Sequence, residues 1–151
     1  MVTIPINGLQ VKVPKKLAGI VPVYRDVPDF KYEIETYRGL QQGLKPDMTV
    51  FDVGCNFGVT TALMGTLQPG LNIHAFDAVD FVLDYGRALE KVNDFLPITW
   101  NNLLVGDEDK QGVPFYTVPS FRSVASTRNP NIVNKVDEYE LVHLEMITLD
   151  T

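Results

Sequence analysis

The sequence predicts an α/β protein, with a parallel β-α-β-α-β core and antiparallel additions at both ends. Three observations carry that expectation. Short apolar runs alternate with segments of helical period between residues 49 and 105, the signature of a parallel sheet with right-handed crossovers. A glycine-bracketed turn, "DVGCNFG", joins the first of those strands to a helix. Outside that span, a proline-punctuated start and a polar later segment break the alternation.

In chain order, residues 1–29 are rich in Val, Ile and Pro. Asn7-Gly8 separates "TIPI" from "LQVKV", and Asn-Gly supplies the positive φ that a tight hairpin turn needs. Pro5, Pro14, Pro22 and Pro28 keep this stretch from being a central strand. It is expected to be an extended, β-rich segment ahead of the main part at 30–151, the two forming one structural domain. Residues 30–44 place Phe30, Ile34, Tyr37 and Leu40 or Leu44 at helical spacing. Gly39 and Gly43 weaken that helix, and Lys45-Pro46-Asp47 ends it.

Strands are then expected at 49–54, 72–77 and 97–105, with helices at 58–68 and 79–95, the second capped by Asp80. After Gly106 the acidic stretch 107–112 reads as a turn, 113–118 as a short strand, 119–135 as a polar loop and 138–150 as a strand.

Composition limits the function. The 151 residues carry a net charge of -6, and the one basic doublet, Lys15-Lys16, does not make a phosphate-binding surface. No nucleic-acid partner is expected. No apolar run approaches the ~18 to 20 residues of a membrane span, and the start lacks the apolar core of a signal peptide. A cytoplasmic chain without membrane association is the expectation. Cys55 is the single cysteine, which excludes an intramolecular disulfide and a cysteine-rich zinc cluster.

The chemistry centres on Asp52-Val53-Gly54-Cys55-Asn56-Phe57-Gly58. Glycines at 54 and 58 let backbone approach a ligand and turn sharply into the next helix, whose first N–H groups carry a positive end. In an open parallel sheet, ligands bind beyond the carboxyl ends of the strands. A dinucleotide would want Gly-x-Gly-x-x-Gly, but Asn56 and Val59 stand where its second and third glycines belong. An acid two residues before Gly54 and a second glycine at 58 instead resemble the first motif of class I S-adenosylmethionine-dependent methyltransferases. For such a ligand Asp52 suits the ammonium, and the N–H groups of the 54–58 turn suit the carboxylate. Asp77 ends the second strand, near the roughly 20-residue offset at which an acid takes ribose hydroxyls. Ala78 and the third strand's end, Asn102 to Leu104, would flank adenine.

The resemblance narrows further. "DVGCNFGVTT" is similar to the "D-[VI]-G-A-N-x-G-x-x-T" run of the FkbM family of methyltransferases, with Cys55 where alanine is usual. Tyr32-Glu33 stands where that family has an aromatic-Glu pair, and Lys45-Pro46 matches its Lys-Pro. "AFDAVDF" resembles "A-F-E-P-x-x-x-x-F", with Asp77 for Glu and Ala78 for Pro. "ITWNNLLVGDEDKQG" and "EMITLD" resemble its third strand with the turn after it and its "V-x-x-x-T-L-D" segment. The likeness covers residues 32–151. It implies a partial Rossmann-like class I methyltransferase fold, the amino-terminal half of a doubly wound sheet. The implied cofactor is S-adenosylmethionine, bound by Asp52, Gly54, Asn56, Gly58, Thr61 and Asp77, with Cys55 and Phe57 in the same turn. The implied reaction is methyl transfer to a hydroxyl of a small-molecule or glycan-type acceptor.

The family's later strands and its "I-K-I-D-x-E-G" motif have no counterpart here. The expectation is therefore a fragment or truncated product with no assignable catalytic base. Its first strand would present an unpaired apolar edge, covered by another chain, as in a homo-oligomer, or by its own amino- or carboxyl-terminal strands. The alternative is a non-catalytic cofactor-binding module acting as an interaction partner.

Other candidates carry less. His74 and His143 share no ligand spacing. Asp107-Glu108-Asp109 lacks the alternation of a calcium loop. Ser120, Ser123 and Ser126 have no nucleophile context. Trp100 reads as core, and no metal site is expected. Tyr32, Glu33 and Tyr37 either line the pocket or simply pack.

Overall fold

The computed structural model describes residues 1–15, 33–93, 97–117 and 140–150. Pro22, Pro28, Phe30, Tyr32 and the polar loop with Ser120, Ser123 and Ser126 lie outside these. The start is a hairpin of β1 (Val2–Ile6) and β2 (Leu9–Val13), with Ile6 opposite Leu9. Its turn residues Asn7 and Gly8 have φ 51° and 85°, so the Asn-Gly pair sets the register by local chemistry alone. Alternate side chains, Ile4, Ile6, Val11 and Val13, are buried with Val2 and Leu9 partly so, and Thr3, Pro5, Gln10 and Lys12 face out.

Among the described residues three helices follow: α1 (Ile34–Gly43), α2 (Val59–Leu67) and α3 (Asp80–Asn93). Asp80, expected as a cap, is the first helical residue of α3. β3 (Thr49–Val53) and β4 (Asn72–Phe76) run between the helices and β5 (Thr99–Asn101) follows α3, a parallel sheet in that order. The molecule is thus mixed α/β with a three-stranded parallel sheet.

Layering follows from the strand periodicity. Ile73, Ala75 and Val50 meet Met64 and Leu83 from α2 and α3. On the far side of those helices the hairpin's four buried residues pack with Tyr37, Val59, Ala62, Leu63 and Leu89. Asn93, at the end of α3, bonds both the N–H and the C=O of Lys12, each at 2.8 Å, which pins the hairpin to the helix layer. The opposite sheet face carries Phe51, His74 and Phe76, with Phe51 5.5 Å from the His74 ring and 6.1 Å from Phe76. Phe51 and Val53 stay 47% and 54% exposed, and among the described residues β3 pairs on one side only.

Three sequence expectations need correction. The strand foreseen over 97–105 is two strands in two sheets. β5 stops at Asn101, and β6 (Leu104–Val105) pairs in parallel with β8 (Glu140–Ile147). Asn102 donates its side-chain amide to the Asp77 carbonyl at 3.0 Å, ending the β4–β5 ladder. Gly106 then donates to the Ile147 carbonyl at 3.0 Å. The turn foreseen over 107–112 is shorter, because β7 (Lys110–Thr117) already starts at Lys110. An irregularity between Lys110 and Val113, with Gly112 at φ 67°, absorbs the misfit. Finally, β7 is antiparallel to β8 but β6 is parallel to it, so the carboxyl-terminal addition is mixed. No helix among the described residues is long and apolar enough to cross a membrane.

Candidate functional site

The parallel register puts Asp52 beside Ala75 and Val53 beside Phe76, so the glycine turn and Asp77 emerge together at the strands' carboxyl ends. The turn is laced to β4. Gly54 and Cys55 both donate to the Phe76 carbonyl, at 2.9 and 3.0 Å, and Gly58 donates to the Cys55 carbonyl at 2.9 Å. Asn56, at φ 50°, donates its N–H to one Asp77 carboxylate oxygen at 2.8 Å. Val79 donates to the other at 2.9 Å. One carboxylate thereby ties together the loops after β3 and after β4.

This lacing narrows the expectation that the turn offers its N–H groups to a ligand. Those of Gly54, Cys55, Asn56 and Gly58 have internal acceptors. The N–H groups of Val59, Thr60 and Thr61 precede the first intrahelical bond, Ala62 to Gly58, and form the positive start of α2.

The two motif glycines differ in purpose. At Gly54, φ is 77° and nothing lies within 4 Å of where a Cβ would stand, so the backbone is open to close approach. Gly58 has φ 74°, and a Cβ there would meet Trp100 at 2.9 Å and the Gly86 Cα at 3.0 Å. Its smallness serves packing. Trp100 lies against this glycine pair and donates its indole N–H to Glu90 at 2.6 Å, a core role as expected. Gly86 was not foreseen. Its only signal in the sequence is a glycine inside a helix.

Thr61 and Cys55 are buried, at 0% and 4% exposure, so neither side chain reaches a ligand in the crevice. Thr61 donates its hydroxyl to an Asp52 carboxylate oxygen at 2.5 Å. The Cys55 thiol is pushed well up by burial and by the Asp52 and Asp77 charges, which leaves it inert. The Phe57 ring turns onto α3, 5.2 Å from Tyr85 and 6.2 Å from Phe81, edge to face, and so braces the turn. Ala78 follows Asp77 in the crevice, half-buried. Asn102 stays beside Asp77 through its carbonyl bond. Leu104, by contrast, pairs with Met146 in the second sheet and is not at the strand end beside Asp77, because the chain leaves the ladder at Asn102.

Both carboxyls are raised above their ordinary range. Burial raises Asp52, the Thr61 hydroxyl opposes that, and the charges of Glu33 and Asp77 add to it. Burial raises Asp77 as well, against the backbone N–H groups of Val79, Asn56 and Ala78. Glu33, exposed just before α1 at φ 39°, is thus electrostatically part of the site. Among the described residues no three His, Cys, Asp or Glu side chains converge to hold a metal. A cavity of about 630 Å³ lies at the other end of the sheet, lined by Lys12, Gln68, Leu71 and Asn93, away from both carboxylates.

No protein-family model matches the chain, and no curated protein matches it significantly.

Proposed function

We propose that the crevice binds S-adenosylmethionine, in a partial Rossmann-like methyltransferase domain of the FkbM type, for methyl transfer to a hydroxyl of a small-molecule or glycan acceptor in the cytoplasm. The observation that carries this is the state of Asp77. The N–H groups of Asn56 and Val79 each bond one of its oxygens, that of Ala78 adds to them, and a carboxylate offers about four lone-pair sites. Three donors leave about one lone-pair site, which suits a hydroxyl of a ribose.

The other groups fit around it. Asp52, held by Thr61, suits the ligand's ammonium, and the start of α2 its carboxylate. The open space over Gly54 suits close passage of the chain between them. Ala78 and Asn102 flank the adenine position. The cofactor, when bound, supplies an electrophilic methyl on its sulfonium. The protein's part is orientation, since holding acceptor and methyl at near-attack distance lowers the barrier substantially. No described residue takes the role of base.

One observation favours a second reading. Among the described residues β3 is paired on one side only, with Phe51 and Val53 exposed. Such edges are normally covered, and a cofactor-binding module that works by associating through β3 would cover this one.

Calorimetric titration with S-adenosylhomocysteine tests the proposal, using the chain and its Asp77→Ala variant. Micromolar binding to the chain, lost in a variant that keeps its circular dichroism, is the expected result. A folded chain that does not bind, or a variant that binds as tightly, overturns it. Binding without methyl transfer to any hydroxyl acceptor favours the module.

A further inference from the structure

Thr61 does not touch the crevice, yet it is the side chain that sets what Asp52 can do there. We propose that Thr61 is a positioning residue for the ligand's cationic end, holding the Asp52 carboxylate in one orientation and in its charged form through its hydroxyl. The ligand in this statement rests on the cofactor reading above; the Thr61–Asp52 pair rests on geometry alone.

Asp52 is the second-last residue of β3, on the helix side of the sheet, and Thr61 stands in the first turn of α2. Thr61 is fully buried, so its hydroxyl has no water to bond, and it points its one proton at Asp52 Oδ2. That fixes Oδ2 and leaves Oδ1 for an incoming donor. Among the described residues three side chains act on Asp52, Thr61 from α2, Glu33 ahead of α1 and Asp77 just after β4, together with its own burial beneath the turn. Among the described residues, Glu33, Asp77 and burial disfavour the anion and the Thr61 hydroxyl favours it. The neighbouring Cys55 thiol, neutral by its own burial, adds no charge. Without the hydroxyl, Asp52 would be a buried carboxyl beside two other acids, free to rotate and readily protonated. Valine has nearly the same shape as threonine, so a merely space-filling role would tolerate it.

The test compares Thr61→Val, Thr61→Ser and the unaltered chain, with Thr61→Ala replacing the valine variant should that one not fold. The first readout is the carboxyl-carbon NMR titration of Asp52 without ligand. The second is S-adenosylhomocysteine affinity as a function of pH. Removing the hydroxyl is expected to move the Asp52 midpoint further up and weaken neutral-pH affinity by about tenfold, the scale of one hydrogen bond to a charged group. The loss should grow as the pH is lowered. Serine should restore both readouts. In an Asp52→Asn background the valine substitution should cost no further affinity. An unchanged Asp52 titration without the hydroxyl, or a serine variant as impaired as the valine one, overturns the proposal. Should the folded, unaltered chain not bind the ligand, the cofactor reading fails, and the ligand-free titration still decides the role of Thr61.

Discussion

Replacing Gly86 with alanine probes how the glycine turn is held in place. Inside a helix such as α3, alanine is ordinarily better than glycine by about 1 kcal/mol. Here the added Cβ would stand 2.3 Å from two carbons of the Trp100 ring and 2.9 Å from a third. The indole has little room to yield. Its N–H is bonded to Glu90 at 2.6 Å, whose other oxygen accepts from the Ile98 N–H at 3.1 Å, and the same ring lies against Gly58. Overpacking of this kind costs about 1–3 kcal/mol, and a rigid aromatic belongs at the upper end. After the gain in helix propensity, a net loss of about 2 kcal/mol is expected, or roughly 4–8 °C in Tm for a chain of this size. Gly39 supplies the control, since it is also helical but has nothing within 4 Å of its Cβ position. Gly39→Ala should therefore stabilise by about 0.5–1 kcal/mol. Urea denaturation followed by circular dichroism measures both. Fluorescence reports the packing directly, because Trp100 is the single tryptophan. A Gly86→Ala midpoint raised as much as that of Gly39→Ala would refute the packing argument.

Two further outcomes are expected. Asp52 is raised above its ordinary 3.8 by burial. The native state therefore holds its proton more tightly than the unfolded chain does, and this contribution to stability is lost as the pH rises from about 3.8 through the folded midpoint. Asp52→Asn keeps an oxygen for Thr61 and removes the charge. It should match the unaltered chain well below that window and exceed it at neutral pH in urea melts, while binding S-adenosylhomocysteine at least tenfold more weakly. A stability gap that does not change with pH would contradict this. For the β3 edge, Val53→Lys at a position 54% exposed should change stability by no more than about 0.5 kcal/mol. It should also abolish the concentration-dependent association that sedimentation velocity is expected to show. A chain that is monomeric at all concentrations would remove the case for covering that edge by a second copy.

What the sequence alone determined is everything that short-range chemistry controls. Asn7-Gly8 made the hairpin because positive φ at two successive residues suits a two-residue turn. The period-2 and period-3.6 runs between residues 49 and 93 became β3, α2, β4 and α3 within a few residues of expectation. The strand-turn-helix pattern brought Asp52, the 54–58 turn and Asp77 to one end of the sheet, because parallel strands in register must emerge together.

What needed the tertiary structure is every decision made by a residue distant in sequence. Asn102 reads as one more strand residue until its amide finds the Asp77 carbonyl and ends the ladder. Thr61 reads as a motif position until burial turns its hydroxyl onto Asp52. Gly58 reads as a ligand-binding glycine, and Gly86 goes unremarked, until Trp100 is seen packed against both. The physical reason is range. Turn preference and hydrophobic period act over a few residues and are written in order along the chain, whereas the identity of a hydrogen-bond acceptor or a packing neighbour is set only when the sheet and helices close on one another.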